Sequence, residues 1–193
     1  MELLIGKKAP AFKATAVQSN KFIENFSLAD YEGSYVVFFF YPLDFTFVCP
    51  TELHAFQEKK LEFEKRNAKV VACSIDSHYS HAAWLNIDKK QGGIEGIEYP
   101  ILSDINKSIS KSFGVLHETM GIAFRGLFIL DTKGIIRHQL VNDLPIGRSV
   151  EEVLRVIDAI TFHEKYGEVC PANWEKGKKA MTATAEGVQA YFS

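Results

Sequence analysis

The sequence predicts an α/β fold in which helices cover a central sheet, and three observations indicate it. Two short apolar runs without polar alternation, at residues 35–41 and 69–75, are typical of strands that are buried on both faces. A helix-forming segment lies between them, so the two strands should be parallel and joined by a right-handed crossover. Two further strand-like runs around a tight turn, followed by an amphipathic helix, complete the pattern.

The helices of the first half are indicated by residue spacing and by glycine. A helix is expected from Pro50 to about Arg66, because this segment lacks glycine and places three apolar side chains on one face, at Leu53, Phe56 and Phe63. A second helix is expected over 78–90, where a glycine-rich loop at 91–96 ends it. A short helix over 107–113 completes a helical insertion.

The second half begins with a hairpin and ends with a long helix. The apolar runs 126–130 and 135–141 flank Asp131-Thr132-Lys133-Gly134, a turn signal that predicts two antiparallel strands. Ser149-Val150-Glu151-Glu152 is the sequence of a capping box, and apolar residues at helical spacing continue the helix to about Tyr166. The core is expected to end there.

This order of elements is that of a thioredoxin-like sheet with an N-terminal extension, a helical insertion around residues 78–113 and a C-terminal arm. A length of 193 residues suits one domain with an appendage. We expect the domain to cover 1–166. Residues 167–193 are small and polar, and we expect them to form an arm that carries Cys170.

Composition excludes several classes of function. With 47% hydrophobic residues, 24% charged residues and a net charge of −2, the chain matches ordinary globular proteins and has no broad attraction for nucleic acid or anionic lipid. Its longest apolar run is far shorter than the roughly 20 residues that span a bilayer. At the N-terminus, Glu2 stands where a signal peptide carries a base. We therefore expect a cytoplasmic protein that binds neither nucleic acid nor membrane.

Cys49 is the candidate reactive residue because it lies where the chain leaves the first buried strand and enters a helix. Pro50 suits the first helical position, where its missing N–H costs nothing. The free N–H groups and the dipole of a helix start favour a thiolate, which is the nucleophilic form of cysteine. The three cysteines are too few and of the wrong parity for a disulfide framework, so chemistry is the better explanation.

Several kinds of cysteine chemistry can be weighed from the neighbouring residues. Dithiol exchange within one loop is excluded, because Glu52 stands where the second cysteine would be. A phosphatase loop is disfavoured, since no arginine follows before Arg66. A hydrolase with a histidine base stays open but weak. Attack of the thiolate on an oxidant remains, and it leaves a sulfenic acid that Cys170 could condense with. Cys73 lies inside a predicted strand and is expected to be inert.

Two stretches carry a family resemblance. Residues 40–52, Phe-Tyr-Pro-Leu-Asp-Phe-Thr-Phe-Val-Cys-Pro-Thr-Glu, together with Glu168-Val169-Cys170-Pro171, resemble the typical two-cysteine peroxiredoxins. The resemblance covers essentially the whole chain. Three residues match the family's Pro-x-x-x-Thr-x-x-Cys motif, namely Pro42, Thr46 and Cys49. Arg125 falls where the family keeps its active-site arginine, and Glu52 and Arg148 fall where an acid and a second arginine support it.

The resemblance implies a mechanism. Thr46 and Arg125 would hydrogen-bond the sulfur and the peroxide oxygens, Pro42 would shield the sulfur from water, and Glu52 would fix the arginines. Cys170 of a neighbouring subunit would resolve the sulfenic acid of Cys49 as an intersubunit disulfide. The function implied is an antioxidant, thiol-dependent peroxidase that reduces hydrogen peroxide and organic hydroperoxides.

The resemblance also implies partners. It predicts a homodimer, five of which form a ring with the region from Phe45 to Phe47 near the dimer–dimer contact. The electron donor would be thioredoxin or a flavoprotein disulfide reductase, and no cofactor or metal is expected. Two alternatives are a holdase-like chaperone and a peroxide sensor that relays oxidation to another protein. His78 and His81 have a metal-like spacing, but a surface helix start is the expected explanation.

One loop departs from the family pattern. Easily overoxidised members carry a Gly-Gly-Leu-Gly loop and a Tyr-Phe pair near the C-terminus. Tyr191-Phe192 is present here, whereas the loop reads Gly92-Gly93-Ile94-Glu95-Gly96, with an acid inserted. The sensitivity of this chain to overoxidation therefore does not follow from the resemblance.

Overall fold

A seven-stranded mixed sheet organises the first part of the chain in the computed structural model, which describes residues 3–193. Glu2, on which the expectation about a signal peptide depends, lies outside these residues. The strands are β1 (Ala14–Gln18), β2 (Lys21–Phe26), β3 (Tyr35–Phe40), β4 (Ala68–Ser74), β5 (Ile101–Ser103), β6 (Leu116–His117), β7 (Ile122–Ala123), β8 (Arg125–Leu130) and β9 (Ile136–Asn142). The short strands β6 and β7 form a separate pair.

Six helices accompany the strands in the described residues: α1 (Cys49–Glu58), α2 (Lys60–Glu64), α3 (His78–Leu85), α4 (Ser108–Ser112), α5 (Val150–Tyr166) and α6 (Ala185–Phe192). Single 3₁₀ turns cover 28–31 and 89–91. None of the helices between residues 3 and 193 has the length and apolar character needed to cross a membrane. The chain divides into two compact units, the first ending at Arg148 and the second beginning at Ser149.

The sheet order is β2-β1-β5-β4-β3-β8-β9. Strand β3 lies between β4, to which it is parallel, and β8, to which it is antiparallel, and β8 and β9 form an antiparallel hairpin. Both predicted pairings are thus confirmed. The N-terminal extension adds β1 and β2 beside β5, a set of short strands that the apolar runs did not indicate.

Strand β3 is the centre of the core because every one of its six residues is buried. Phe38 packs against Phe40 and Phe113 with ring centroids 4.7 and 5.1 Å apart, in edge-to-face geometry. On the other face of the strand, Phe39 stacks on Phe56 of α1 at 4.4 Å. Aromatic pairs of this kind contribute about 0.5–1.5 kcal/mol each beyond their buried area. The packing thus joins β3 to α1 on one face and to Phe113 on the other.

The hairpin turn is stabilised by its own residues. One carboxylate oxygen of Asp131 accepts hydrogen bonds from the backbone N–H groups of Lys133 and Ile135, each 2.9 Å long. Gly134 adopts a φ of 73°, the left-handed conformation that glycine accommodates without strain. The turn therefore forms where the sequence predicts it.

Two helices differ from their predicted extents. The helix expected over 50–66 is interrupted at Lys59, which ends α1 and precedes α2. The helix expected over 78–90 ends at Leu85, because the side chain of Asn86 donates to the carbonyl of Ala82 and Asp88 starts a separate 3₁₀ turn. Polar side chains that bond to nearby backbone compete in this way with continued helix formation. Helix α4 matches its prediction.

The second unit begins with the predicted long helix. The Ser149 hydroxyl accepts from the N–H of Glu152, and the helix ends at Tyr166 with Gly167 in the left-handed region at a φ of 72°. The carboxylate of Glu152 accepts from Arg155 in the next turn. The Ser149 cap and the left-handed Gly167 thus mark the two ends of α5.

The arm after Gly167 has more structure than its composition indicates. A bridge pairs Val169 with Met181, and α6 follows at the end. The Trp174 side chain is buried and packs on Phe162 with ring centroids 4.8 Å apart. The division into a domain of 1–166 and an arm of 167–193 stays a prediction.

The glycine-rich loop is held from two sides. The indole N–H of Trp84 donates to the Gly92 carbonyl at 2.9 Å, and the His54 ring contacts the Gly93 carbonyl at 3.0 Å. Gly93 itself is buried against the backbone of Ile87, whereas the inserted acid, Glu95, is exposed. The insertion is therefore accommodated by directing its charge to solvent.

Replacing Gly93 with alanine should destabilise the protein by about 1–3 kcal/mol, the usual cost of forcing an extra carbon into packed structure. The new Cβ would lie 1.9 Å from the Ile87 carbonyl oxygen. Urea unfolding followed by circular dichroism measures the change. Gly147→Ala is the control, because its Cβ would meet nothing nearer than 3.5 Å and should stay within about 0.5 kcal/mol of the parent. Equal midpoints for the two variants would contradict the packing argument.

Candidate active site

Cys49 is the first residue of α1 and is completely buried. Pro50 occupies the second helical position rather than the predicted first, and Val48 is the residue before the helix. The strand β3 delivers the chain to this point through the loop 41–48. The sulfur thus lies at the positive end of a helix dipole, as the sequence predicts.

Arg125 contacts the sulfur directly. Its Nη1 donates to Cys49 Sγ at 3.4 Å and to Glu52 Oε2 at 2.6 Å, while its Nε donates to the Leu144 carbonyl at 2.6 Å. The sheet explains the placement. Because β8 runs antiparallel to β3, its first residue, Arg125, lies beside the end of β3 that leads to Cys49. A guanidinium held against a sulfur stabilises the thiolate.

Glu52 joins Arg125 to a second arginine. Arg148 donates to Glu52 from Nε at 2.7 Å and from Nη2 at 2.9 Å, a two-pronged ion pair, and also through its backbone N–H at 2.9 Å. Its Nη1 donates to the carbonyls of Phe40 and Gly126, both at 2.7 Å. Burial lowers the pKa of Arg148 and the neighbouring Glu52 opposes this effect. The guanidinium therefore fastens the ends of β3 and β8 to α1.

The cluster around the sulfur carries an excess of positive charge. Arg125, Arg148 and Glu52 are each at most 8% exposed. Two cations and one anion leave a buried charge of +1, and a thiolate at Cys49 makes the cluster neutral. Uncompensated charge is costly in a buried site, so the cluster offers a favourable electrostatic environment for a negatively charged group beside the two arginines.

Pro42 and Thr46 lie in the loop before Cys49. Pro42 is buried and Thr46 is half-buried. The Thr46 hydroxyl donates to the Leu43 carbonyl at 2.8 Å, so its proton is engaged and its lone pairs remain to accept a hydrogen bond. Phe45 has a φ of 56°, which is unusual for a bulky residue and marks strain in this loop.

A buried polar network that sequence reasoning missed holds this loop. The Asp44 carboxylate accepts from the Tyr41 hydroxyl at 2.7 Å and the Ser80 hydroxyl at 2.7 Å, and it contacts His81 Nδ1 at 2.9 Å. His81 Nε2 lies 3.1 Å from the Leu102 carbonyl. Burial raises the pKa of Tyr41 well above its ordinary value, which keeps the hydroxyl protonated as a donor.

Helix α3 begins at His78 as expected, but the expected surface position is wrong for His81, whose side chain has no exposed area. The spacing of His81 from Trp84 and Leu85, three and four residues on, puts it on the buried face of α3 and could have indicated this. With both ring nitrogens in contact with protein oxygens, the ring anchors the loop rather than contributing to a surface.

The remaining cysteines have different surroundings. Cys73 of β4 is buried, and burial raises its pKa well above the ordinary value. Cys170 belongs to the second unit, where its Sγ donates to the Ala159 carbonyl at 3.6 Å. Partial burial raises its pKa, while nearby Arg155 acts against this. All three thiols are free, and within the first unit the structure brings Cys49 together with both arginines and Glu52.

Family models and related proteins of known name agree on the kind of protein that this chain resembles. Residues 5–139 match the AhpC/TSA family model, and residues 159–193 match the model for the C-terminal domain of 1-Cys peroxiredoxin. Peroxiredoxin tpx1 of Schizosaccharomyces pombe is 53% identical over all of this chain and 99% of its own length. Thioredoxin peroxidase of Echinococcus granulosus is 49% identical over the full length of both.

A solved structure confirms the fold. The reduced 2-Cys peroxiredoxin of Plasmodium vivax superposes with a TM-score of 0.95 at 49% identity, covering 99% of each chain. The predicted α/β, thioredoxin-like architecture is therefore correct.

Replacing Glu52 with glutamine should lower the free energy of unfolding by about 3 kcal/mol, because two buried guanidinium groups lose their shared counter-charge. Chemical denaturation measures this. Glu62→Gln is a matched control, since Glu62 also bonds two cations, Lys65 and Arg66, but at the surface. The control should unfold like the parent. A Glu52 variant as stable as the control would show that the cluster is not a stabilising unit.

Cys170 and Cys73 should differ in how readily they are alkylated as the pH rises. In a Cys49→Ser background, folded Cys170 should be alkylated by iodoacetamide with a midpoint above that of the urea-unfolded chain, because its folded pKa is raised, and Cys73 should react only after unfolding. Both thiols have a higher pKa in the folded than in the unfolded chain. Their contribution to the free energy of unfolding is therefore complete below about pH 8.5 and is lost as the pH rises further. Mass spectrometry of each peptide measures the reaction. A lower midpoint for folded Cys170 would contradict this assignment.

Proposed function

Since this chain belongs to the AhpC/TSA family of peroxiredoxins, which are thiol-dependent peroxidases, we propose that it reduces hydrogen peroxide and small organic hydroperoxides with Cys49 as the attacking residue. The observation that supports this assignment most directly is the 3.4 Å contact between Arg125 Nη1 and Cys49 Sγ in a buried cluster at a helix start. This environment suits a nucleophile that needs no separate general base.

In the first step the Cys49 thiolate attacks one peroxide oxygen. The O–O bond breaks as the S–O bond forms, which gives Cys49–SOH and an alkoxide or hydroxide that takes a proton to leave as alcohol or water. Sulfur is oxidised by two electrons and the peroxide is reduced by two. Negative charge moves from the sulfur to the leaving oxygen during this step.

Arg125 is positioned to stabilise the negative charge as it moves from the sulfur to the leaving oxygen. Its Nη1 is shared between the sulfur and Glu52, and its Nε is fixed on Leu144, so the guanidinium is directed toward the sulfur before substrate arrives. Thr46 complements it, because a hydroxyl whose proton is engaged by Leu43 can accept the peroxide O–H. Pro42 is buried and lies four residues before Thr46, and it would limit access of water to the sulfur.

In the second step Cys170 resolves the sulfenic acid. The Cys170 thiol attacks Cys49–SOH, a disulfide forms and water leaves. A dithiol donor then reduces the disulfide to two thiols. Thioredoxin fits this role, as the name of the Echinococcus granulosus relative indicates for that protein, and a flavoprotein disulfide reductase is the alternative donor. Cys170 would come from a neighbouring subunit, and the cytoplasm is a compartment in which such donors keep thiols reduced.

Surface features support assembly into dimers and rings. Strand β9 is the last strand of the sheet order and is half-buried over most of its length. Its one register irregularity with β8 lies near its first residues, so the rest of its edge can pair with a second copy. At the opposite edge, β2 carries Asn25 at a φ of 57° beside an irregular register with β1. Phe47 is 93% exposed and Phe45 54% exposed, next to the active-site loop. We assign β9 to the homodimer contact and the two phenylalanines to a ring of five dimers.

Cysteine variants test the mechanism. After one equivalent of hydrogen peroxide, non-reducing electrophoresis of the parent should show a disulfide-linked dimer that a reductant removes. Cys49→Ser should abolish peroxidase turnover and the dimer together, while Cys170→Ser should abolish the dimer but still consume one equivalent of peroxide. Cys73→Ala is the control and should behave like the parent in both assays.

The same variants separate the alternatives. Turnover that survives in Cys49→Ser would refute the proposal. A holdase activity would be unaffected by loss of Cys49, because it needs no thiolate. A sensor would form mixed disulfides with another protein in Cys170→Ser, without multiple turnover in the parent.

A further inference from the structure

Arg155 lies on the part of α5 that holds the Cys170 sulfur. Cys170 Sγ donates to the Ala159 carbonyl at 3.6 Å, and Ala159 follows Arg155 by four residues, about one helical turn. Arg155 Nη1 donates to the Trp174 carbonyl at 2.9 Å. The Trp174 N–H in turn donates to the carbonyl of Pro171 at 3.1 Å, which closes a turn directly after Cys170. The guanidinium and the thiol are therefore bonded to neighbouring turns of the same structure.

A carboxylate also binds this guanidinium. Glu152 accepts from Arg155 Nε at 2.6 Å and from Arg155 Nη2 at 2.7 Å, a two-pronged ion pair. The side chains are 30% exposed for Arg155 and 48% exposed for Glu152, so solvent screens the pair only in part. Since Nη1 bonds the Trp174 carbonyl, every nitrogen of the guanidinium has a partner. The positive charge therefore has a fixed position on α5.

Two charged residues act on the Cys170 thiol with opposite effects. Partial burial raises the pKa of the thiol, Arg155 acts against this rise and Glu168 adds to it. His163, in the last turn of α5, is directed to the Glu168 carbonyl, which its Nδ1 contacts at 2.8 Å. Of these groups, Arg155 is the one that favours a thiolate at Cys170.

The effect of Arg155 is limited by carboxylates beside it. The bond to Glu152 raises the pKa of Arg155, and the charges of Cys170 and Glu175 add to this rise. The interaction of the guanidinium with the thiol is thus mutual, and each carboxylate near the guanidinium weakens its field at the sulfur. Because Glu152 bonds Arg155 directly, loss of the Glu152 charge should strengthen the action of Arg155 on the thiol.

From these contacts we infer that Arg155 and Glu152 together set the ionisation of the Cys170 thiol, with Arg155 stabilising the thiolate and Glu152 limiting that effect. The inference deepens the proposed function and rests on it, since Cys170 there resolves the sulfenic acid of Cys49. A cysteine attacks as its thiolate, so the pair sets the fraction of Cys170 that is ready to react.

The step that uses this thiolate is the attack of Cys170–S⁻ on the sulfur of Cys49–SOH. The S–S bond forms as the S–O bond breaks, and hydroxide leaves and takes up a proton to become water. The Cys170 sulfur is oxidised and the Cys49 sulfur is reduced by the same amount, so no further oxidant is needed. Arg155 acts before this step, by raising the thiolate fraction of Cys170.

Alkylation of Cys170 by iodoacetamide in a Cys49→Ser background tests the inference, because it involves no peroxide. Arg155→Met removes the charge and keeps an unbranched side chain. We expect its alkylation midpoint to lie about 0.5–1 pH unit above that of the parent background. At neutral pH the reaction should be about 2- to 4-fold slower, since a smaller thiolate fraction is partly offset by a more nucleophilic thiolate. Glu152→Gln should lower the midpoint.

Two further variants separate charge from packing. Arg155→Lys keeps a cation and should have a midpoint below that of Arg155→Met; equal midpoints for these two variants would overturn the inference. Lys165→Met is the matched control and should match the parent, because Lys165 is an exposed cation of the same helix whose ammonium lies on the Tyr166 ring. Loosening of the arm would expose the thiol and lower the midpoint in Arg155→Met and Glu152→Gln alike, whereas the inference requires opposite shifts.

Rapid-quench measurement of disulfide formation, with Cys49 present and one equivalent of hydrogen peroxide, connects the thiol to the proposed function. At neutral pH the disulfide should form about 2- to 4-fold more slowly in Arg155→Met than in the parent. If the parent forms no disulfide, the proposed function fails, while the alkylation midpoints still decide the role of Arg155. The inference is overturned if Arg155→Met has the midpoint of Lys165→Met or a lower one, if Glu152→Gln does not lower the midpoint, or if Arg155→Met forms the disulfide as fast as the parent.

Discussion

The buried carboxylate of Glu52, shared by the guanidinium groups of Arg125 and Arg148, is the interaction on which the rest of the active site depends. Each oxygen of the carboxylate receives charged donors, and Glu52 itself stands one helical turn after Cys49. An ion pair of this kind is tolerated inside a protein only when its geometry satisfies every group. The positive charge that remains is directed at the Cys49 sulfur through Arg125.

The pairing of strands in the sheet positions the residues of this cluster. Arg125 begins β8, and β8 pairs antiparallel with β3, so a residue 76 positions from Cys49 is carried to its sulfur. Arg148 then bonds the carbonyls of Phe40 and Gly126, which belong to those two strands. The aromatic core around Phe38 keeps the strands in register. The contact between the Arg125 guanidinium and the Cys49 sulfur is thus a consequence of ordinary strand pairing.

The arm meets a different requirement. In the mechanism proposed above, Cys170 reacts with a second cysteine, and individually weak contacts suit a thiol with that role. The bridge between Val169 and Met181 and the long contact of the Cys170 sulfur with Ala159 fit that need. Neither of them is a buried ion pair, in contrast with the cluster around Glu52.

The sequence by itself determined the strands β3, β4, β8 and β9, the caps of α5, and the position of Cys49 at a helix start, because each depends on residues close together in the chain. Only the tertiary structure decided that Arg125 contacts the sulfur, that Thr46 presents lone pairs, and that His81 is buried on Asp44. These depend on strand register and on loops, where residues distant in sequence meet. The family resemblance implied that Arg125 reaches the sulfur and that Glu52 fixes both arginines, whereas the backbone carbonyls of Leu144, Phe40 and Gly126 as further partners came from the structure alone.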